Sequence, residues 1–482
     1  MTMPAVDWGA LSPFLWLCAG GLLTTLLSVA PRPLKSLPGL GALLSVALAG
    51  RAVWSLWDQP RIALGGMVAV DRMALGFDVV FLATAALAIL LSMSALRRDG
   101  ADHGEFYSLL LFATAGMTMM AGSANLLVLF LGLEILSLPL YIMSAFTRTR
   151  ERALEASIKY FLMGAFSTGF TLYGMALLYG ATNTLDLRRM AAAVPGGTGE
   201  FHGLLYAGFG LTLIGFLFKI AAVPFHFWLP DVYQGAPTPV TGFMIAGTKA
   251  AAFATVLRVL TSAFWMDPQI VQWVPLLSVL AVLTMTLGNV VALAQNNIKR
   301  MLAYSSIAHA GYLLVAVACR SEAGVSSVLF YLASYLFMNI GAFVVVHLVE
   351  HTREGDEVGE LLQAYAGLGK RAPLAAAAMA VFMFALTGMP LTGGFVGKFF
   401  IFRAALDAKL YALAILGVLN SVVSAAYYLR VIVYMYFREP ATEPGPIRSP
   451  LPATLALALS VVGVFFLGLN PGPIAALFAR LM

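Results

Sequence analysis

Charge is what this sequence has least of. Asp, Glu, Lys and Arg make up 11% of its 482 residues, against about 25% in an ordinary soluble domain. Cysteine is nearly absent: only Cys18 and Cys319 occur, each inside an apolar run. That excludes a cysteine-ligated cluster within the chain and argues against a structural disulfide. No Walker loop, dinucleotide fingerprint or haem-attachment motif is present, so no nucleotide, flavin or redox chemistry and no bound cofactor is expected of this chain. Long polar stretches are missing too. The longest polar connection, HTREGDEVGELLQAYAGLGKRA from His351 to Ala372, leaves no room for a soluble domain. The first apolar run, from Leu11, has no basic stretch before it, so a cleaved signal peptide is not expected. The net charge of +6 sits mostly in connections between apolar runs. It therefore speaks of membrane topology and not of nucleic-acid binding.

What is present is hydrophobic length. Apolar residues make up 60% of the chain, and runs of bilayer-crossing length recur from end to end. The expectation is an all-α polytopic membrane protein with about fourteen spans, near 11–30, 37–57, 73–95, 105–122, 124–146, 157–180, 203–229, 239–264, 270–293, 301–319, 325–350, 373–403, 410–437 and 451–470. Connections after odd-numbered spans hold 14 Lys and Arg, among them Arg32, Lys35, Lys299, Arg300, Arg353, Lys370 and Arg448; the other side holds 8, from Arg61 to Arg480. The richer side should be cytoplasmic, with both termini on the opposite, periplasmic side of a bacterial plasma membrane.

Two segments resemble each other at a fixed offset. EILSLPLYIMSA lies over SSIAHAGYLLVA, matching Tyr141 with Tyr312; KYFLMGAF lies over FYLASYLF, matching Tyr160 with Tyr331; FLFKIAAVP lies over FMFALTGMP, matching Pro224 with Pro390. Together they suggest two related five-span units, 105–264 and 270–437, behind a three-helix flank at 1–104 and before a C-terminal helix at 451–482. An odd number of spans per unit makes the second inverted, a transporter architecture. Both matched prolines fall mid-span beside Gly or a further Pro, so each span should break near Pro224 or Pro390 and expose backbone groups to a hydrated cavity.

Most Lys and Arg sit in connections, but seven lie inside apolar spans: Arg51, Lys159, Lys219, Lys249, Arg258, Lys398 and Arg430. Arg51 and Arg258, near span ends, read as snorkelling to the interface, Arg430 stays open, and Asp78 reads as interfacial. Glu134 stands almost at the centre of ANLLVLFLGLEILSLPLYIMSAF, where an ionised carboxylate costs several kcal/mol unless offset. Lys159, on the next helix, is its natural partner. Two charges about 7 Å apart at an effective dielectric near 20 couple by roughly 2 kcal/mol, more than one pKa unit. Making and breaking such a pair would switch a lysine between holding and releasing a proton, which arginine cannot do. His226, in PFHFW, and His309, in SSIAHAGY, are candidate proton relays or hydrogen-bonded packing residues. Neither has a second ligand at metal-binding spacing.

LGLEILSLPLYIMSAF, FKIAAVPFHFWLPDVYQGAPTPVTGF and NNIKRMLAYSSIAHAGY resemble the antiporter-like membrane subunits of proton-pumping NADH:quinone oxidoreductase, respiratory complex I. SLPLY after the buried Glu is similar to their N branch. The resemblance spans essentially the whole chain. It implies fourteen helices in two inverted repeats and one proton channel, whose fifth-helix Glu falls on Glu134 and whose lysines fall on Lys159, Lys219, Lys249 and Lys398. FMN, iron–sulfur clusters and the quinone site would belong to partner subunits. One departure from repeat symmetry stands out: Lys219 matches Ala385, and Lys398 follows its proline instead of preceding it. The rival expectations are a subunit of a multisubunit cation/proton antiporter or membrane-bound hydrogenase of the same fold, and a structural scaffold that has lost transport.

Overall fold

Inside a bilayer every backbone N–H and C=O must bond within its own segment, so apolar runs of this length fold as helices. The structure, a computed structural model, describes residues 6–29, 36–98, 101, 103–193, 202–265, 273–350, 356–440, 447 and 449–478. Arg32, Lys35, Arg353, Arg448, Arg480 and the first five residues of the His351–Ala372 connection lie outside them.

The chain is almost wholly helical. Helices α1 (Ser12–Leu27) and α2 (Leu37–Leu56) lead into a small antiparallel hairpin, β1 (Arg61–Ala63) and β2 (Val68–Val70), and then α3 (Arg72–Arg98). Helices α4 (Gly104–Gly122), α5 (Leu126–Ser144), α6 (Glu151–Thr182), the short α7 (Leu187–Ala193), α8 (His202–Ile220) and α9 (Trp228–Gly235) follow. The continuous α10 (Thr238–Phe264) contains two π-helical turns, Met244–Thr248 and Leu260–Phe264. Then come α11 (Trp273–Leu293), α12 (Ile298–Ala318), α13 (Glu322–Glu350), α14 (Pro373–Thr387), α15 (Gly393–Asp407), α16 (Tyr411–Phe437), α17 (Leu451–Leu469) and α18 (Pro471–Phe478). Among the described residues 11 helices are long and apolar enough to cross a membrane, while α1 and α14 are apolar but shorter.

Both mid-span prolines mark true interruptions. Helix α8 stops at Ile220 and α9 begins at Trp228; α14 stops at Thr387 and α15 begins at Gly393. Gly388 closes α14 at φ 96°, a left-handed conformation that favours glycine.

Connections alternate between two faces. The hairpin face gathers those after α2, α4 and α6, joined by bridges Val68–Ser123 and Asn125–Asp186. The opposite face gathers those after α9, α11 and α13, where Lys299 donates to Ala236 O at 3.0 Å and Asn297 bridges Leu361. Helix pairs α4–α5 and α11–α12 approach backbone to backbone through glycines: a Cβ on Gly116 would lie 2.4 Å from Leu136 N, and one on Gly288 2.6 Å from Ala308 N. Small residues permit that closeness in lipid.

The structure corrects three side-chain expectations. Arg258 does not snorkel; it is buried, and its guanidinium grips Asp71 with two bonds of 2.5 and 2.7 Å. Asp78 is buried in α3 and not interfacial. Lys299 belongs to the buried start of α12 and pairs with Glu360 at 3.3 Å. A charge near a span end takes a protein partner when neighbouring helices supply one, and single-span reasoning cannot see those neighbours. Arg51 is exposed, in keeping with snorkelling. Arg430 donates to the Leu293 carbonyl at 2.9 Å.

Candidate functional site

In the first half, Lys219 sits in the last turn of α8, just before the break. Its Nζ is buried and donates to Ser137 Oγ on α5 at 2.8 Å, with the rings of Tyr141 and Tyr160 each 5.6 Å away. A cation there is favoured by the free carbonyls at the helix C-terminus. Ser137 lies one turn beyond Glu134 on α5, which puts Glu134 within Coulombic reach of Lys219. Glu134 itself is half-buried and accepts from Thr168 Oγ1 at 3.0 Å.

Glu134 and Lys159 do not pair. Lys159 instead contacts Glu155 at 2.7 Å and Asp231 at 2.9 Å. Thr168, which marks the level of Glu134, is nine residues from Lys159, about 13 Å of helix. Adjacency of consecutive helices fixes which helices meet, not their level along the axis.

At the centre, Lys249 directly follows the π-helical turn of α10, a distortion common at working sites. Its buried Nζ donates to the carbonyl of Ser306 on α12 at 2.6 Å. One turn on, the fully buried His309 bonds the Tyr331 hydroxyl through Nδ1 and the Tyr428 hydroxyl through Nε2, the latter at 2.9 Å. Tyr428 also bonds Ser305 Oγ. Lys249 and Lys398 are both within Coulombic reach of His309.

In the second half, Lys398 lies in the second turn of α15. Its Nζ reaches back across the break to donate to Leu386 O and Thr387 O, each at 2.9 Å, and to Ser421 Oγ at 2.8 Å, with the Tyr312 ring 5.0 Å away. This resolves the apparent asymmetry of the repeats. Leu386 and Thr387 adjoin Ala385, the position matching Lys219. The ammonium therefore reaches the C-terminal end of the interrupted helix in both halves, once from within that helix and once from beyond the break. Tyr141 and Tyr312, matched in sequence, face the two ammoniums alike. A cavity of about 650 Å³, walled by Phe395, Phe399, Phe402 and Val422, opens beside Lys398.

Lys249, His309 and Lys398 thus lie close together as buried polar groups in an apolar core, and Lys219 is buried beside Ser137 in the first half. His226 lies half-buried in the α8–α9 break and bonds none of them. Sequence reasoning did not single out Ser137, Thr168, Ser306, Tyr428 or Asp231. Tyr331 had already surfaced as a repeat match; Ser137, Thr168, Ser306 and Tyr428 gave no signal beyond being polar in apolar runs, and Asp231 lay in a connection between two of them. Among the described residues no group of three or more His, Cys, Asp or Glu could hold a metal ion.

The family described as "NADH:quinone oxidoreductase/Mrp antiporter, TM" matches residues 123–424. NADH-quinone oxidoreductase subunit N of Trichlorobacter lovleyi is 50% identical over 90% of this chain and 88% of that protein. The chain belongs to the subunit N family of NADH-quinone oxidoreductase. Subunit N 2 of Roseiflexus castenholzii is 42% identical over 100% of this chain and 98% of its own length. Among solved structures, a chain of respiratory complex I from Thermus thermophilus superposes with a TM-score of 0.82 at 37% identity, covering 97% of this subunit and 99% of that chain. A chain of the Mrp complex from Dietzia has a TM-score of 0.83 at 22% identity, over 98% of this subunit and 96% of that chain, and shows the shared fold alone. The family model names both oxidoreductase and antiporter, and the relatives matched over most of the chain are NADH-quinone oxidoreductase subunits N.

Proposed function

We propose that this subunit carries protons across a bacterial plasma membrane within an NADH-quinone oxidoreductase. Electrons pass from NADH through FMN and iron–sulfur centres to quinone in partner subunits, and this chain moves protons along Glu134, Lys219, Lys249, His309 and Lys398. Lys159 stands at one end of the row and His226 beside its first break. The observation that carries the reading is the row itself: lysines held by hydroxyl and carbonyl oxygens, beside titratable or hydroxyl side chains, within an otherwise apolar interior. Buried polar groups at this depth are costly and mark ion or proton pathways. The matched glycine contacts and the two lysine–tyrosine pairs support the division into inverted units 105–264 and 270–437, flanked by 1–104 and 451–482. The Lys- and Arg-rich face is cytoplasmic in this reading, with both termini periplasmic.

The test is Lys249→Ala and Lys249→Arg in the assembled complex. Both should lower NADH-driven proton pumping at least fivefold with assembly intact, because arginine holds the charge but does not release the proton. Full pumping by Lys249→Arg would remove deprotonation at this position from the mechanism.

A further inference from the structure

Asp231 belongs to no part of the row above, yet its carboxylate is shared by the two halves. From α9 it accepts Lys159 Nζ of α6 on Oδ2 at 2.9 Å and Arg300 Nη1 of α12 on Oδ1 at 2.7 Å. Arg300 Nη1 also bonds Gln234 Oε1 at 3.1 Å. A polar cavity of about 200 Å³ opens here, lined by Arg152, Glu155, Lys159, Asp231 and Gln234. Asp231 is about one-third exposed and Lys159 44% exposed, so water reaches both. Behind the cavity the Tyr160 ring stacks on Trp228 at 4.8 Å, and Trp228 on Phe218 at 5.2 Å. Lys219 Nζ lies 5.6 Å from the same Tyr160 ring.

We propose that Asp231 is the proton-receiving carboxylate of this cavity and feeds the row through Lys219, an inference that rests on the proton-transfer reading above. The cavity mouth holds three cations, Arg152, Lys159 and Arg300, against two carboxylates, Glu155 and Asp231. Without Asp231 the excess positive charge rises by one and repels incoming protons. A proton from water bonds to Oδ2, and the ion pair to Lys159 Nζ breaks. The proton then leaves Oδ2 through water past the Tyr160–Trp228 stack to Lys219, and Lys159 closes back on the restored carboxylate. Arg300 holds Oδ1 throughout, so α12 of the second half fixes where the first half receives its proton.

The experiment compares Asp231→Asn, Asp231→Glu and Glu155→Gln in the assembled complex in inside-out vesicles, with Lys249→Ala alongside. The initial rate of NADH-driven proton uptake is followed from pH 6 to pH 8. Asp231→Asn should pump about fivefold slower than the parent at pH 8 and less than twofold slower at pH 6, where bulk protons are plentiful. Asp231→Glu should restore at least half the rate. Glu155→Gln, on the exposed rim and safe for folding, should show a weaker effect of the same sign, about twofold at pH 8. A loss in Asp231→Asn that is equal at every pH and not restored by glutamate marks a structural ion pair and overturns the proposal. Unchanged profiles for Asp231→Asn, or for Glu155→Gln should Asp231→Asn fail to assemble, also overturn it, and leave the wider reading standing if Lys249→Ala still lowers pumping at least fivefold. Normal pumping in Lys249→Ala overturns both.

Discussion

Glu134 matters through what surrounds it. Lys219 lies in its field, and Thr168 donates a side-chain hydrogen bond to it. A hydrogen bond to a charged group contributes about 1.5–3 kcal/mol, so Thr168 helps hold the carboxylate at this depth. Glu134→Ala should leave the complex assembled and lower proton pumping, because Lys219 loses its counter-charge; Glu134→Asp should retain more. Thr168→Val should fall between parent and Glu134→Ala when NADH-driven acidification is followed in inside-out vesicles. Parent-level pumping in Glu134→Ala would end this role. Lys159, exposed and paired on the surface, contributes through pairs of the 0.2–1 kcal/mol kind.

Among elements, α10 is tied to the residue just before α3 by an ion pair of unequal burial. Arg258 is 6% exposed and Asp71 33% exposed. Burial would raise the Asp71 carboxyl, but the Arg258 guanidinium overrides it and holds the group below its ordinary value of 3.8. A depressed carboxylate contributes stability that is fully present above pH 3.8 and is lost as the pH falls through the lowered value. Removing either partner is then unequal. Asp71→Ala strands a buried guanidinium and should cost about 3 kcal/mol, while Arg258→Met leaves a carboxylate that water can reach and should cost about 1 kcal/mol. The half-life of the assembled complex at raised temperature measures the difference. Equal half-lives would show that burial of Arg258 is not what makes the pair matter. The interruption after α14 is an element-scale feature of another kind: the free carbonyls of Leu386 and Thr387, not carboxylates, receive the Lys398 ammonium.

For the whole molecule, the decisive property is that connections sort onto two faces. Lys370 is exposed on the face that holds the Asp231 cavity, and Asp58 is exposed on the hairpin face. A cysteine at Lys370 should resist an impermeant thiol reagent in intact cells and react in inside-out vesicles; a cysteine at Asp58 should do the reverse. The opposite pattern would invert the orientation. Cys18 and Cys319, half-buried and buried, provide a low background for this labelling.

Membrane class, helical architecture, both helix breaks and the lysines of the row were legible in the sequence. Hydrophobic length and proline chemistry act within one segment, so Pro224 and Pro390 announce themselves without a structure. The lysines announce themselves because a cation in an apolar run needs a reason. Partnership was not legible. Glu134 faces Lys219 and not Lys159, Arg258 is locked to Asp71, and Asp231 joins two halves separated by about seventy residues of chain. Each of these depends on axial level and rotation between packed helices, quantities set jointly by many side chains at the interfaces. The convergence of Lys219 and Lys398 on equivalent helix ends is the clearest case. The sequence placed them on opposite sides of their prolines, and only the folded backbone, turning back at Gly388, brought the second ammonium to the place of the first.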